Sequence, residues 1–441
     1  MLKRKIEEQL KVWKQTTDKK PLVIKGCRQC GKTFSALAFA QKNYSHVVYL
    51  NFVQNPDYSL AFQGSKNIDD VIMNISAMVS GAIFEPGNTC LILDEIQDCP
   101  EARTSLKFFK MDGRFDVIAT GSLLGVKGYG GKQSARASVP VGYETILDMY
   151  PLDFEEFLWA NGISDTIINK MAECLHEEQP VPEALHHRMK QLLLQYIVVG
   201  GMPEAVNTFM ATHDITQVQN VQRAIVNEYE DDMIKYAEDA DKSKIRECFE
   251  SIPRQLSKEN KKFQYSLIRK GGKASQYGGS IQWIEDAGII CRCRNLNIPE
   301  LPLDGNAMED VFKIYMADTG LFVSMLEDGT SFDILQNNLH GYKGAIFENI
   351  IADIFHKMQR KLYYFRKDSG LEVDFVMRYK GRSTLVEVKA SNGNVKSTKT
   401  ILSHPDKYHV GCAIKLGDYN IGRQERLLTL PLYMAFLLKE H

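Results

Sequence analysis

Pro21–Lys25 reads PLVIK and runs straight into Gly26–Lys42, GCRQCGKTFSALAFAQK. A run of five mostly apolar residues is too short for a helix, and the glycine turn that ends it marks a buried strand. Beyond the turn, Ala and Phe recur at helical spacing. Gly26, Gly31, Lys32 and Thr33 therefore stand in the order G-x-x-x-x-G-K-T between a strand and a helix, the setting a phosphate-binding loop requires. Each residue type has a task there. Glycines let the backbone N–H groups of Gly26, Cys27, Arg28, Gln29, Cys30 and Gly31 close around phosphate oxygens, and Lys32, Thr33 and Phe34 continue that cradle at the positive end of the helix. Lys32 is expected to reach the terminal phosphates and the Thr33 hydroxyl to ligate magnesium, so ATP and Mg2+ are the expected ligands.

Working outward, His46–Phe52 (HVVYLNF) reads as the next strand and Ile68–Val79 has helical spacing. Thr89–Pro100 (TCLILDEIQDCP) then leads a fully apolar run into Asp94 and Glu95. Acids at the end of a buried strand lie where an open parallel sheet places its ligand. Asp94 is expected to hold the magnesium and Glu95 to orient and deprotonate the attacking water. A fourth strand, Phe115–Ala119, ends in Thr120, Gly121 and Ser122. A hydroxyl there can sense the γ-phosphate, with Ser122 the first candidate and Thr120 the second. Glycines are dense from Gly121 to Gly131, which suggests a mobile loop near the nucleotide.

The chain has 441 residues, 44% hydrophobic and 25% charged, which suits about three ordinary domains and excludes wholesale disorder or a collagen repeat. Lys and Arg total 54 against 55 acids, so any nucleic-acid partner must be met by a local patch. No apolar run approaches the roughly 18 residues of a membrane span. The N-terminal segment MLKRKIEEQLKVWKQ carries Ile6, Leu10 and Trp13 at helical spacing, an amphipathic helix of a cytoplasmic protein. Nine cysteines are expected to be reduced thiols, because neither close pair, Cys27 with Cys30 or Cys291 with Cys293, completes a zinc set.

With GCRQCGKT, DEIQ and ATGSLLG stand ASVPVGYETILDMYPLDFEEFL (Ala137–Leu158), YIVVGGMPEAV (Tyr196–Val206), KIYMADTGL (Lys313–Leu321) and GAIFEN (Gly344–Asn349). Together they resemble the AAA-type P-loop ATPases of bacteria and archaea that carry a C-terminal domain of unknown function. The resemblance implies an α/β fold: an ATPase domain over 1–165, a helical and winged-helix connector over 166–305, and a C-terminal domain over 306–441. Many such relatives place an arginine after the glycine of the PVG element, where this chain has Tyr143. Arg28 and Arg136 are left as candidates for a transition-state arginine, and no oligomer is read from the resemblance.

From Asp165 to Glu250 the pattern is helical, broken at Gly200–Pro203. Ser251–Lys273 then holds seven basic residues and one Glu, between helical stretches at Ile245–Leu256 and Ser275–Ala287, followed by the strand-like IICRCRNLN. This order suggests a winged helix whose basic side chains hold DNA or RNA phosphates. The bland alternative is a solvated or protein-binding face.

Further on, Lys343–Phe355 reads as a helix bearing Glu348, and EVDFV and LVEVK as a hairpin carrying Asp374 and, thirteen residues on, Glu387 with Lys389. Asp374 and Glu387 could bind a metal, Lys389 position water and Glu348 steady the site. That arrangement is similar to restriction-endonuclease-like (PD-(D/E)XK) nucleases. An acid-x-Lys triplet alone means nothing, since this composition yields about four by chance. Lys357–Lys407 holds twelve basic residues against five acids, which favours a nucleic acid. Two functions follow: an ATPase driving a nuclease-like domain on nucleic acid, or an ATP-dependent switch whose inactive C-terminal scaffold binds a protein partner.

Overall fold

The computed structural model describes residues 2–122, 142–237, 241–258, 262–338, 342–390 and 395–440. Arg136, Lys261 and the glycine-rich stretch beyond Ser122 lie outside them.

Five strands, β1 (Leu22–Gly26), β2 (His46–Asn51), β3 (Thr89–Asp94), β4 (Asp116–Ser122) and β5 (Thr145–Met149), form a parallel sheet in the order β2-β3-β4-β1-β5. Every position of β3 is buried, as its unbroken apolar run requires of a strand covered on both faces. Alternation divides the strands between two cores. Leu22, Ile24, Cys90 and Ile92 pack with Ile6, Leu10 and Trp13 of the helix Ile6–Gln15 and with Phe39 of the helix Lys32–Asn43. Val23, Leu91 and Leu93 face the opposite way, onto Val71, Ile75 and Leu106. β5, which the local pattern did not announce, completes the sheet beside β1.

A second, mixed sheet of eight strands is built from β6 (Ile290–Leu296), β7 (Ala307–Met316), β8 (Leu362–Arg366), β9 (Glu372–Tyr379), β10 (Arg382–Val388), β11 (Cys412–Gly417), β12 (Gly422–Gln424) and β13 (Leu427–Pro431). Their order is β12-β13-β11-β10-β9-β8-β6-β7. The expected hairpin of β9 and β10 is present and antiparallel. The expected connector helices are also present, as Lys242–Leu256 and Ala274–Asp286, and a hairpin of β6 and β7 follows them.

That hairpin is not a free wing. β6 pairs in parallel with β8, Cys293 beside Leu362, so the hairpin forms one end of the C-terminal sheet. The boundary expected between 305 and 306 falls between two strands hydrogen bonded to each other. Leu152, Phe154 and Phe157 already belong to the core shared by the helical segment and the second sheet.

One buried junction ties the three parts together. Lys357 donates to Leu152 O (3.2 Å) and Tyr196 Oη (3.0 Å), and pairs with Asp353 (2.8 Å) and Asp318 (3.3 Å). Asp318 also accepts from Gly201 N at 2.7 Å. Gly200 has φ 70°, and a Cβ there would stand 2.2 Å from Asp318 Oδ1, which accounts for glycine at the GGMPE bend.

Candidate active site

The loop after β1 is shaped by its glycines and strapped from outside. A Cβ on Gly26 would lie 2.2 Å from Met149 O of β5, so the strand can enter the loop only without a side chain. Arg4 donates to Cys30 O (3.1 Å) and Tyr150 O (2.6 Å), and its Nε to Glu156 Oε1 (3.1 Å). Glu156 is held in place by a capping box with Asp153, which starts the helix Phe154–Ala160. The PLDFEEF element thus fixes the loop through Arg4.

Lys32 opens the following helix, almost fully buried, and among the described residues it donates to carbonyls of its own loop, Gly26 O (3.2 Å) and Cys27 O (2.8 Å). Next to it, Thr33 Oγ1 donates to Asp94 Oδ1 at 2.7 Å. Thr120 donates to the same oxygen, and Tyr49 and Asn51 of β2 each donate to Oδ2 at 2.7 Å. Of the two hydroxyl candidates on β4, Thr120 is the one bonded to Asp94. Ser122, two residues on and therefore on the same face, lies in register with Gly26 at the start of the loop.

Glu95 has φ 55°, its N–H faces Thr120 Oγ1 at 3.4 Å, and its carboxylate accepts from Gln97 at 2.6 Å. A cavity of about 540 Å³ opens over these groups, lined by Lys32, Thr33, Phe34 and Glu95 on one side and by Arg4 and Pro203 on the other. The helix Ile215–Tyr236, started by Asp214 accepting from Thr216 N (2.8 Å), meets the loop: Asp232 pairs with Arg28, Glu228 accepts from Gln29, and Tyr229 Oη approaches Arg28 O at 3.4 Å. Cys27 and Cys30 are buried free thiols, as are seven others in whole or part.

Residues 18–158 match the family model of an AAA domain, residues 190–331 a domain of unknown function (DUF8612), and residues 343–434 another (DUF4143). The first third of the chain is an AAA-type P-loop ATPase domain. No curated protein matches the chain. Among solved structures, the Walker-type ATPase PABY2304 of Pyrococcus abyssi is similar at 12% identity and TM-score 0.43, over 74% of this chain and 96% of the other. The ORC2 protein of Aeropyrum pernix, in its ADPNP–ADP complexes, is similar at 13% identity and TM-score 0.36, over 76% and 93%. At such identities and TM-scores the functional reading is left to the ATPase domain's own residues.

The C-terminal candidates are also neighbours. Glu348 lies on the helix Lys343–Lys357, Asp374 on β9, Glu387 at the end of β10 and Lys389 just beyond it. Asp374 accepts from Val388 N at 2.8 Å, Glu387 accepts from Thr398 (2.7 Å) and Lys389 (2.9 Å), and Glu348 from Tyr315 (3.0 Å). Burial, with Glu348 and Glu387 alongside, pushes the Asp374 carboxyl well up. No group of three His, Cys, Asp or Glu side chains with metal-binding geometry is found among the described residues.

Four groups escaped the sequence reading. Tyr49 and Asn51 reach Asp94 from a neighbouring strand, Arg4 reaches the phosphate loop at Cys30 O from just before the first helix, and Lys313 reaches the C-terminal acids from β7. A lysine inside the run VFKIYM was the one local anomaly that could have drawn attention to Lys313. Lys357 is a correction to the basic stretch, because it is buried with two acids and offers no charge to a nucleic acid.

Proposed function

We propose that the ATPase domain hydrolyses ATP with Mg2+ and that the helix Ile215–Tyr236 carries its nucleotide state to the C-terminal domain. The observation that supports this most is the 2.7 Å bond between Thr33 and Asp94, which unites the two phosphate-site motifs beside an open cavity. Thr33 and Asp94 suit Mg2+: the hydroxyl donates its hydrogen bond to the carboxylate, which leaves the hydroxyl oxygen's lone pairs for a metal. When bound, Mg2+ draws negative charge from the β- and γ-phosphate oxygens. Lys32 exchanges two neutral carbonyls for phosphate oxygens, so that its ammonium meets an opposite charge instead of a dipole. Glu95 orients and deprotonates the attacking water, and Ser122, opposite Gly26, faces the γ-phosphate side. Thr120 holds Asp94 and the Glu95 backbone together, a positioning role.

Coupling rests on the polar grip that the helix has on both ends. Arg28 and Gln29 are held by Asp232 and Glu228, while Gln219 donates to Ser331 (2.8 Å) and Arg223 pairs with Asp328. Phosphates entering the loop compete with those acids for Arg28. The C-terminal domain is then a scaffold for a partner rather than a nuclease, a reading supported by the buried Lys313, whose ammonium already stands among the acids Glu348 and Glu372. Arg254, Lys258, Lys262, Arg269, Lys270 and Lys273 are all exposed, which suits a partner with an anionic backbone.

Amide hydrogen exchange with and without a non-hydrolysable ATP analogue checks the coupling. Changed protection across 215–236 is expected, and unchanged protection at saturating nucleotide would sink it. In Lys32→Ala the change should be absent because the analogue no longer binds.

A further inference from the structure

The acids of the C-terminal sheet already hold a cation, and it belongs to the chain itself. Lys313 sits on β7, in a run where Phe312, Ile314, Tyr315 and Met316 are all buried, and is itself only 1% exposed. Its Nζ stands 2.9 Å from Glu372 Oε1, 3.9 Å from Glu348 Oε2 and 4.8 Å from the centre of the Tyr364 ring. Asp374 acts on the same ammonium, as do Glu348 and Glu372. Tyr315, two residues along the strand, directs its hydroxyl to Glu348 at 3.0 Å. The helix bearing Glu348 and the β9 residues Glu372 and Asp374 are therefore gathered around one buried lysine.

A restriction-endonuclease-like site would need a divalent cation between Glu348 and Asp374. The residues present do not fit one. An ammonium that is buried and paired cannot withdraw into solvent, and a second positive centre beside it would meet like-charge repulsion in a poorly screened interior. A metal between Glu348 and Asp374 would have to compete with the Lys313 ammonium for the same acids.

We propose that Lys313 is the resident cation of this cluster, standing where a divalent metal would have to sit, so that the native C-terminal domain is metal-free and a divalent-cation site appears only when that ammonium is removed. The inference deepens the scaffold reading and rests on it only in its consequence, that the cluster does not cut nucleic acid. It also gives the acids a structural purpose: they solvate a lysine that closes one end of the sheet against the helix Lys343–Lys357.

The test titrates the full-length protein with Mn2+ alone, without nucleotide, and reads free Mn2+ by electron paramagnetic resonance. Native chain and Asp374→Asn should bind Mn2+ equally. Lys313→Met should gain one equivalent of Mn2+ at least about tenfold tighter than any in the native chain, and Lys313→Met with Asp374→Asn should lose it. A native chain whose Mn2+ binding falls tenfold in Asp374→Asn overturns the proposal, and this arm needs no change at Lys313 should Lys313→Met fail to fold. A folded, ATP-hydrolysing Lys313→Met that gains no Mn2+ overturns it too. Incubation with single- and double-stranded DNA and RNA separates the two readings. Cutting that depends on Asp374 removes both, whereas Asp374-dependent Mn2+ binding without cutting removes the Lys313 proposal and leaves the scaffold.

Discussion

Lys32 and Lys313 are both buried lysines near carboxylates, at 7% and 1% exposure, and the difference between their surroundings separates a ligand site from a closed one. The Lys32 ammonium is held by two neutral carbonyls of a glycine loop and faces a cavity of about 540 Å³. The Lys313 ammonium is held by acids and an aromatic ring inside the protein. The acids differ in the same sense. Asp94 is surrounded by neutral donors, Thr33, Thr120, Tyr49 and Asn51, so its charge is steadied but not cancelled. Asp374 is set among charges of both signs, Glu348 and Glu387 against Lys313 and Lys389. Lys32 meets neutral partners at the edge of a cavity, whereas Lys313 meets charged ones inside the protein.

The largest expected effect breaks or keeps that comparison outright. Lys32→Ala should lose nucleotide affinity by more than about 100-fold in calorimetric titration, while its unfolding free energy falls by no more than about 1–3 kcal/mol, the cost of leaving two buried carbonyls without their donor. Lys313→Met should do the reverse. Its ATP affinity should be unchanged and its stability to denaturant should drop by roughly 3–5 kcal/mol, the usual result of leaving buried acids without their partner. Equal stability loss in the two variants would erase the distinction.

A smaller effect sharpens it at the junction of the three parts. Burial, with the Lys357 ammonium adjoining, pushes the His356 imidazole down to about 4. Unfolded, the same ring titrates near 6.5, so between those values the unfolded chain binds the extra proton. His356 therefore contributes stability in full above about pH 6.5, and the contribution is lost as pH falls toward about 4. His356→Gln should remove about 1–3 kcal/mol of the pH 7.5-to-5 difference in unfolding free energy. Asp353, whose carboxyl burial pushes the other way, is present in both chains and cancels in the comparison.

The P-loop strand and helix, the acidic end of β3 and the β9–β10 hairpin were legible because each is written in one short stretch: an apolar run, a glycine turn, an alternation of two. Partners that cross strands were not. Asp94 meets Tyr49 and Asn51 only because β2 lies beside β3, and nothing local states that order. Thr120 and Ser122 share one face of β4, and alternation alone does not say that Thr120 meets Asp94. Charge sums misplaced Lys357, since a count does not distinguish a buried lysine from an exposed one. The place of the β6–β7 hairpin was hidden for a related reason: it follows helices in the manner of a wing, and only its pairing with β8 joins it to the larger sheet.

The most direct test of the contrast between the two sites is steady-state ATP turnover at saturating Mg-ATP in Glu95→Gln and Asp374→Asn, side by side with the native chain. The expected result is a fall of about 100- to 10,000-fold in kcat for Glu95→Gln, with ATP still bound, and native turnover for Asp374→Asn. Native turnover in Glu95→Gln, or its loss in a folded Asp374→Asn, would contradict the assignment of hydrolysis to the open site and of structure to the closed one.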